Sequence, residues 1–198
     1  MAKRELKNIF LSASIPFKER HPKYFESADI IAIRDSVIAL ASVVLPKHRL
    51  IWGGHPSITP IIYYVMDKLR LNIQEHFVLY QSKYFEHLFP KDNNKFQNVI
   101  LTDNLGSEPE SLLHMRERML KENTFDAGVF IGGMEGIEDE FNMFKNIHPK
   151  AVLLPIASTG AAAKILYEDF ISDKLKNERL VKDYGYMSLF QKLLIEAI

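Results

Sequence analysis

Asp126-Ala127-Gly128-Val129-Phe130-Ile131-Gly132-Gly133-Met134-Glu135-Gly136-Ile137-Glu138-Asp139-Glu140 is the stretch that decides the fold. Residues 126–131 form a short apolar run bounded by turn signals, the pattern of a strand buried on both faces. Gly132-Gly133 stop it. The acids that follow suit the first turn of a helix, predicted over residues 135–144. Strand, glycine turn and amphipathic helix make one α/β unit.

The same unit recurs in both directions. Strands are predicted at residues 8–14, 49–52, 76–81, 98–102 and 151–156. A helix starts at Asp29, with Ile30, Ile33, Val37, Leu40, Ala41 and Val44 at helical spacing and Asp29 or Ser27 as its cap. Others follow Thr59-Pro60, span residues 107–122 and open at Ser158-Thr159-Gly160. An apolar helix ends the chain over residues 188–198, with Leu189, Phe190, Leu193, Leu194 and Ile195. It is expected to pack within the chain or to pair with a second copy, and a homodimer is expected. The alternation predicts a Rossmann-like three-layer α/β/α sandwich with a mostly parallel sheet. Without a repeat, linker or low-complexity segment, one domain over residues 1–198 is expected.

Composition narrows the function. The 25 basic and 25 acidic residues cancel, so no basic excess points to nucleic acid or to an anionic membrane. No cysteine is present, which excludes disulfides, thiolate zinc sites and a cysteine nucleophile and is compatible with the cytoplasm, the expected compartment. The start, Met1-Ala2-Lys3-Arg4-Glu5, leads into an apolar run too short for a signal peptide, and no run approaches a membrane span. The seven histidines lack zinc spacing, and neither a Gly-x-Gly-x-x-Gly nor a Walker loop occurs. No metal and no cofactor are expected.

In open parallel sheets ligands sit beyond the carboxyl ends of the strands, so the loops there carry the candidates. Ser12 and Ser14 offer hydroxyls, or fill a turn where bulk does not fit. Gly53-Gly54-His55-Pro56 precedes a helix whose first turn holds Thr59. Its glycines let backbone N–H groups approach a ligand and its helix start favours an anion, or they simply end a strand. Gly132, Gly133, Met134, Glu135 and Gly136 open the acidic helix, whose carboxylates bind sugar hydroxyls or merely suit the helix dipole. Ser158, Thr159 and Gly160 form an anion seat or an ordinary cap. Gln81, at the end of the third strand, and Arg34, in the first long helix, complete the ligand-binding candidates. A phosphate is expected at Gly53-Gly54 or at Ser158-Thr159-Gly160, with sugar or base near the acids. Residues 15–28 and 83–97 are candidate lids, long and rich in aromatic and basic side chains.

Five segments together resemble the SLOG-domain family, cluster 3 in particular. They are Ile9-Phe10-Leu11-Ser12-Ala13-Ser14-Ile15-Pro16, Gly53-Gly54-His55-Pro56, Tyr80-Gln81-Ser82, Phe130-Ile131-Gly132-Gly133-Met134-Glu135-Gly136-Ile137-Glu138 and Leu154-Pro155-Ile156-Ala157-Ser158-Thr159-Gly160. SLOG is the superfamily joining the Smf/DprA proteins and the LOG (Lonely Guy, lysine-decarboxylase-like) proteins. The resemblance implies a Rossmann-like fold that binds or senses a nucleotide-derived ligand, in a bacterial defence or signalling system, with a separate effector protein as partner. It offers a catalytic alternative, cleavage of the N-glycosidic bond of a nucleoside 5′-monophosphate, and a third reading, a scaffold subunit with a vestigial pocket.

The LOG motif is Pro-Gly-Gly-x-Gly-Thr-x-x-Glu with an arginine on the preceding helix. Here Gly132 and Gly133 match the glycine pair, Gly136 the third glycine and Glu140 the final glutamate, while Arg116 or Arg118 falls where the arginine is expected. Ile131 stands for the proline, Ile137 for the threonine, and Glu135 is an extra residue. If the chain is an enzyme, Glu138 or Glu140 stabilises positive charge on the ribose and Arg116 or Arg118 holds the phosphate or orients the carboxylate.

Overall fold

A computed structural model describes residues 6–20, 22–69, 74–90, 93 and 95–198. The first five residues, read above as no signal peptide, lie outside the described residues. Six strands alternate with helices: β1 (Asn8–Ser14), α1 (Pro22–Phe25), α2 (Ile30–Val44), β2 (Arg49–Trp52), α3 (Thr59–Leu69), β3 (Phe77–Ser82), β4 (Val99–Thr102), α4 (Glu108–Lys121), β5 (Ala127–Gly132), α5 (Glu135–Ile147), β6 (Val152–Ile156), α6 (Ala161–Ile165), α7 (Arg179–Lys182) and α8 (Tyr186–Phe190). The strands form one sheet in the order β4-β3-β2-β1-β5-β6, and every pairing is parallel. The expected three-layer Rossmann-like architecture is what the chain adopts.

Side chains alternate across the strands and build two cores. Ile9 and Leu11 of β1, with Val129 and Ile131 of β5, face α2, α3 and the C-terminal helix. Phe10 and Phe130 face the other way, toward α4, α5 and α6. There Phe10 stacks on Phe144 at 5.2 Å between centroids, and Phe141 meets the edge of Phe130 at 5.0 Å. The C-terminal helix packs within the chain: Leu189, Phe190 and Leu194 are fully buried in the first core.

Helix starts follow the capping chemistry. The Asp29 carboxylate accepts from the Ala32 amide, and Ser107 caps α4 through the Glu110 amide. Elsewhere the boundaries move. The third strand starts at Phe77, because residues 74–76 form a 3₁₀ turn that places His76 Nδ1 2.5 Å from the Leu45 carbonyl. Residues 83–88, the start of the second candidate lid, are a 3₁₀ helix capped by Ser82, whose hydroxyl accepts from the Tyr84 amide. The last helix begins at Tyr186 and widens into a π turn over Gln191–Ile195.

The turn after β6 shows why its glycine stands where it does. Gly160 has φ +70° and ψ −156°, a region that only glycine occupies comfortably. A β-carbon there would also collide with the Ser27 carbonyl. Ser27 closes the same junction by accepting from the Ala161 amide. Gly160→Ala is expected to cost about 3 kcal/mol or more in urea unfolding, against the usual ~1 kcal/mol for a substitution.

Candidate functional site

The chain leaves β1 toward β2, β3 and β4 on one side, then returns to lay β5 and β6 on the other. That reversal opens a crevice at the carboxyl ends of β1 and β5, the place where open α/β sheets bind ligands. A cavity of about 320 Å³ lies there. It is bounded by the ends of β1, β2 and β3, the start of α5, one face of α4 and residues 85–90.

The best-defined polar group in it is Glu140. Ser12 donates its hydroxyl to Oε2 at 2.5 Å, and Arg116 donates Nε to Oε1 at 3.1 Å. Arg116 also reaches Asp139 at 3.4 Å and the Gly136 carbonyl at 3.3 Å. The side chains of Arg116 and Glu140 are only 13% and 15% exposed, so their ion pair is well shielded. Three elements meet in this clamp: Ser12 from β1, Arg116 from α4 and Glu140 from α5.

Helix geometry explains which candidates it excludes. Residues two apart on a helix point about 200° apart. Arg118 therefore leaves the cavity and pairs with Glu122 at 2.7 Å. Glu138 likewise turns from Glu140 and accepts from the Tyr24 hydroxyl at 2.7 Å. Glu135, at the rim, pairs with Arg20 at 2.9 Å. These last two contacts tie the candidate lid over residues 15–28 to the first turn of α5. The second candidate lid supplies Phe85, Leu88, Phe89 and Pro90 as an apolar wall.

Across the cavity stands His55. Its Nδ1 accepts from the Ser57 amide at 3.2 Å and lies 2.8 Å from the Ser57 hydroxyl. An Nδ1 that accepts a backbone N–H leaves the proton of the neutral ring on Nε2. Burial, with a smaller contribution from the charge of Arg20, pushes the imidazole down to about 4. His55 is thus a neutral donor at pH 7. Beside it, the buried amide of Gln81 lies over Gly54, where a β-carbon would stand 2.7 Å from Gln81 Cγ. Only glycine lets that side chain occupy the floor, and the φ of +73° at Gly54 points the same way. The Gln81 Oε1 atom accepts from Asn93 at 2.7 Å.

Of the candidates read from the sequence, the cavity brings together Ser12, Ser14, Gly53, Gly54, His55, Pro56, Gln81, Met134, Glu135, Gly136, Arg116 and Glu140. Others lie elsewhere. Arg34 is exposed and pairs with Asp35 at 2.8 Å. Thr59 is buried and accepts from the Trp52 indole at 3.2 Å. Gly132 and Gly133 pass beneath, their amides donating to Thr159 Oγ1 and to the Ser14 carbonyl at 2.9 Å each. Ser158 lies 3.1 Å from the Tyr186 hydroxyl, a phenol that burial pushes up to about 12. The hydroxyls of Ser158 and Thr159 are therefore spent inside the fold. Arg20, Ser82 and Glu108 line the cavity without having been singled out. Ser82 directly follows Gln81, so the rule for strand ends covers it. Arg20 and Glu108 carry no local signal. No group of three or more metal-ligating side chains occurs among the described residues, and none of their helices is long and apolar enough to cross a membrane.

The sequence profile of the SLOG cluster 3 family matches residues 23–194. The chain belongs to that family. This SLOG member also shares its fold with a solved structure, the X-ray structure of TM1055, a structural genomics target. The two superpose with a TM-score of 0.58 at 14% sequence identity, over 98% of this chain and 100% of that one. No curated protein matches the chain.

His55 generates a pH prediction for this SLOG protein. Its folded pKa lies below the usual value, so between about pH 6.5 and pH 4 the unfolded chain binds a proton that the folded chain does not. Stability therefore falls as pH drops through that window, by up to about 3 kcal/mol from this group. Unfolding followed from pH 7 to pH 4 should show a shallower decline for His55→Gln than for the wild type.

Proposed function

We propose that this SLOG protein binds a nucleotide-derived small molecule in the cavity at the β1/β5 reversal and holds it intact. One observation carries the reading: both carboxylate oxygens of Glu140 are already engaged, one by Arg116 and one by Ser12. A carboxylate clamped in this way is an acceptor of fixed direction, suited to ligand hydroxyls through its remaining lone pairs. Glycosidic cleavage needs a carboxylate aimed at the anomeric carbon and an acid for the departing base. The neutral ring of His55 is a poor acid at pH 7, and Glu138, bonded to Tyr24, lies off the cavity.

The apolar wall from Phe85 to Pro90 suits a flat base, and the Ser12–Glu140 side suits a sugar. Family membership agrees with a ligand of this class. On this reading the loaded protein reports to a separate effector, in a defence or signalling setting, through the segments that border the cavity.

The test is a melting-temperature screen with adenosine, inosine, AMP, NAD and cyclic ADP-ribose, with chromatography of the same mixtures for released base. At least one compound should stabilise the fold, by about 2.7 kcal/mol at a hundred times its Kd, and should be recovered uncleaved. Arg116→Ala should abolish the stabilisation. Base release lost in Glu140→Gln would instead establish the hydrolase, and no response to any compound would refute both.

A further inference from the structure

Across the cavity from Glu140, the ends of β2 and β3 carry two unused hydrogen-bond donors. Gln81 is only 3% exposed, yet it lines the cavity. Its Oε1 accepts from Asn93 at 2.7 Å, which fixes the orientation of the amide. The Nε2 end has no partner among the described residues. A nearly buried amide whose donor end opens on a cavity is set to meet an acceptor there. His55 supplies the second donor. Its Nδ1 accepts from the Ser57 amide, so Nε2 carries the proton of the neutral ring. That N–H also has no partner among the described residues, and the ring lines the same cavity. Burial keeps the imidazole uncharged at pH 7.

These donors adjoin the apolar wall. Gln81 and Ser82 end β3, and the 3₁₀ turn capped by Ser82 runs straight on into Phe85, Leu88, Phe89 and Pro90. Asn93 then bonds back to Gln81, so the wall is tied to the amide at both ends. An apolar surface with directed donors at its margin matches a nucleobase, whose faces are apolar and whose edges carry the polar groups. Ribose hydroxyls, which can donate, are served on the other side by the clamped carboxylate of Glu140.

Resting on the nucleotide-derived reading of this site, we propose that His55 and Gln81 select the base of the ligand, and that this base is a 6-oxopurine. O6 and N7 of such a base are adjacent acceptors on one edge, one for each donor. Adenine keeps N7 but carries an amino donor in place of O6, which sets donor against donor. Pyrimidines offer at most one acceptor on the corresponding edge. Gly54 belongs to the same device, since a β-carbon there would stand 2.7 Å from Gln81 Cγ and dislodge the amide. Inosine and inosine 5′-monophosphate present the same base edge, so the preference holds with or without a phosphate elsewhere on the ligand.

Calorimetric titration with two matched pairs decides the matter: inosine against adenosine, and inosine 5′-monophosphate against AMP. Within a pair only the base changes, so the ratio of affinities reports the base edge. The 6-oxo member should bind at least about tenfold more tightly, the lower end of what one two-bond base contact discriminates. On the wild-type chain 7-deazainosine, which lacks the N7 acceptor, should bind at least about fivefold more weakly than inosine. Gln81→Glu puts an acceptor where the amide nitrogen stood and keeps an oxygen for Asn93. It should narrow or reverse the preference for the 6-oxo base. Equal or tighter binding of the 6-amino members, an affinity unchanged by loss of N7, a preference that folded Gln81→Glu leaves untouched, or binding confined to NAD or cyclic ADP-ribose would overturn the base assignment while sparing the proposed function. The 7-deaza comparison uses the unaltered chain and so decides independently of how the variant folds. Absence of binding by all of these compounds would overturn the nucleotide-derived reading itself.

Discussion

Glu140 sits under the end of β1 with one oxygen on Ser12 and the other on Arg116, and the arrangement of the site follows from that clamp. A shielded carboxylate is tolerable only when its charge is matched and its lone pairs are used; removing one member of such a pair typically costs about 3–5 kcal/mol. The clamp therefore fixes α4 and α5 relative to the central strand. The same two helices frame one side of the cavity. Because the clamp joins residues 12, 116 and 140, it forms only when the sheet has been wound past its reversal point and β5 lies beside β1. Fold and site are therefore consequences of one topological feature.

Around the clamp, polarity is divided. Glu140 and Glu135 put acceptors at the α5 side, each balanced by an arginine. The β2 and β3 ends offer the neutral donor of His55 and the amide of Gln81. The segments before α2 and after β3 add Arg20 and an apolar wall. The amides at the start of α3 are consumed by the His55 turn.

Much of this was legible in the residues. Period and punctuation revealed all six strands, because a strand buried on both faces reads as an apolar run whatever its neighbours. Placement of ligand candidates at strand ends was legible for the same reason: topology puts them there. The rest needed three dimensions. Arg116 and Arg118 are indistinguishable in sequence, and only the turn of α4 against α5 decides between them. Ser158-Thr159-Gly160 looks like an anion seat locally, yet its hydroxyls satisfy Ile156, Tyr186 and the Gly132 amide, and Gly160 serves the Ser27 junction. Small polar residues at a helix start answer to whichever demand the surrounding fold makes first. Arg20 and Glu108 were invisible because an exposed charged residue acquires meaning only from the wall it joins.

The most direct test of this account is to map a bound nucleotide-derived compound onto the chain by NMR. Titration of isotope-labelled protein with the compound that most raises the melting temperature should shift the amides of Ser12, Ser14, Gly54, His55, Gln81 and Gly136 together, at the carboxyl ends of β1, β2 and β3 and the start of α5. Shifts concentrated at residues 157–163 with the β1 and β2 ends unmoved would contradict it.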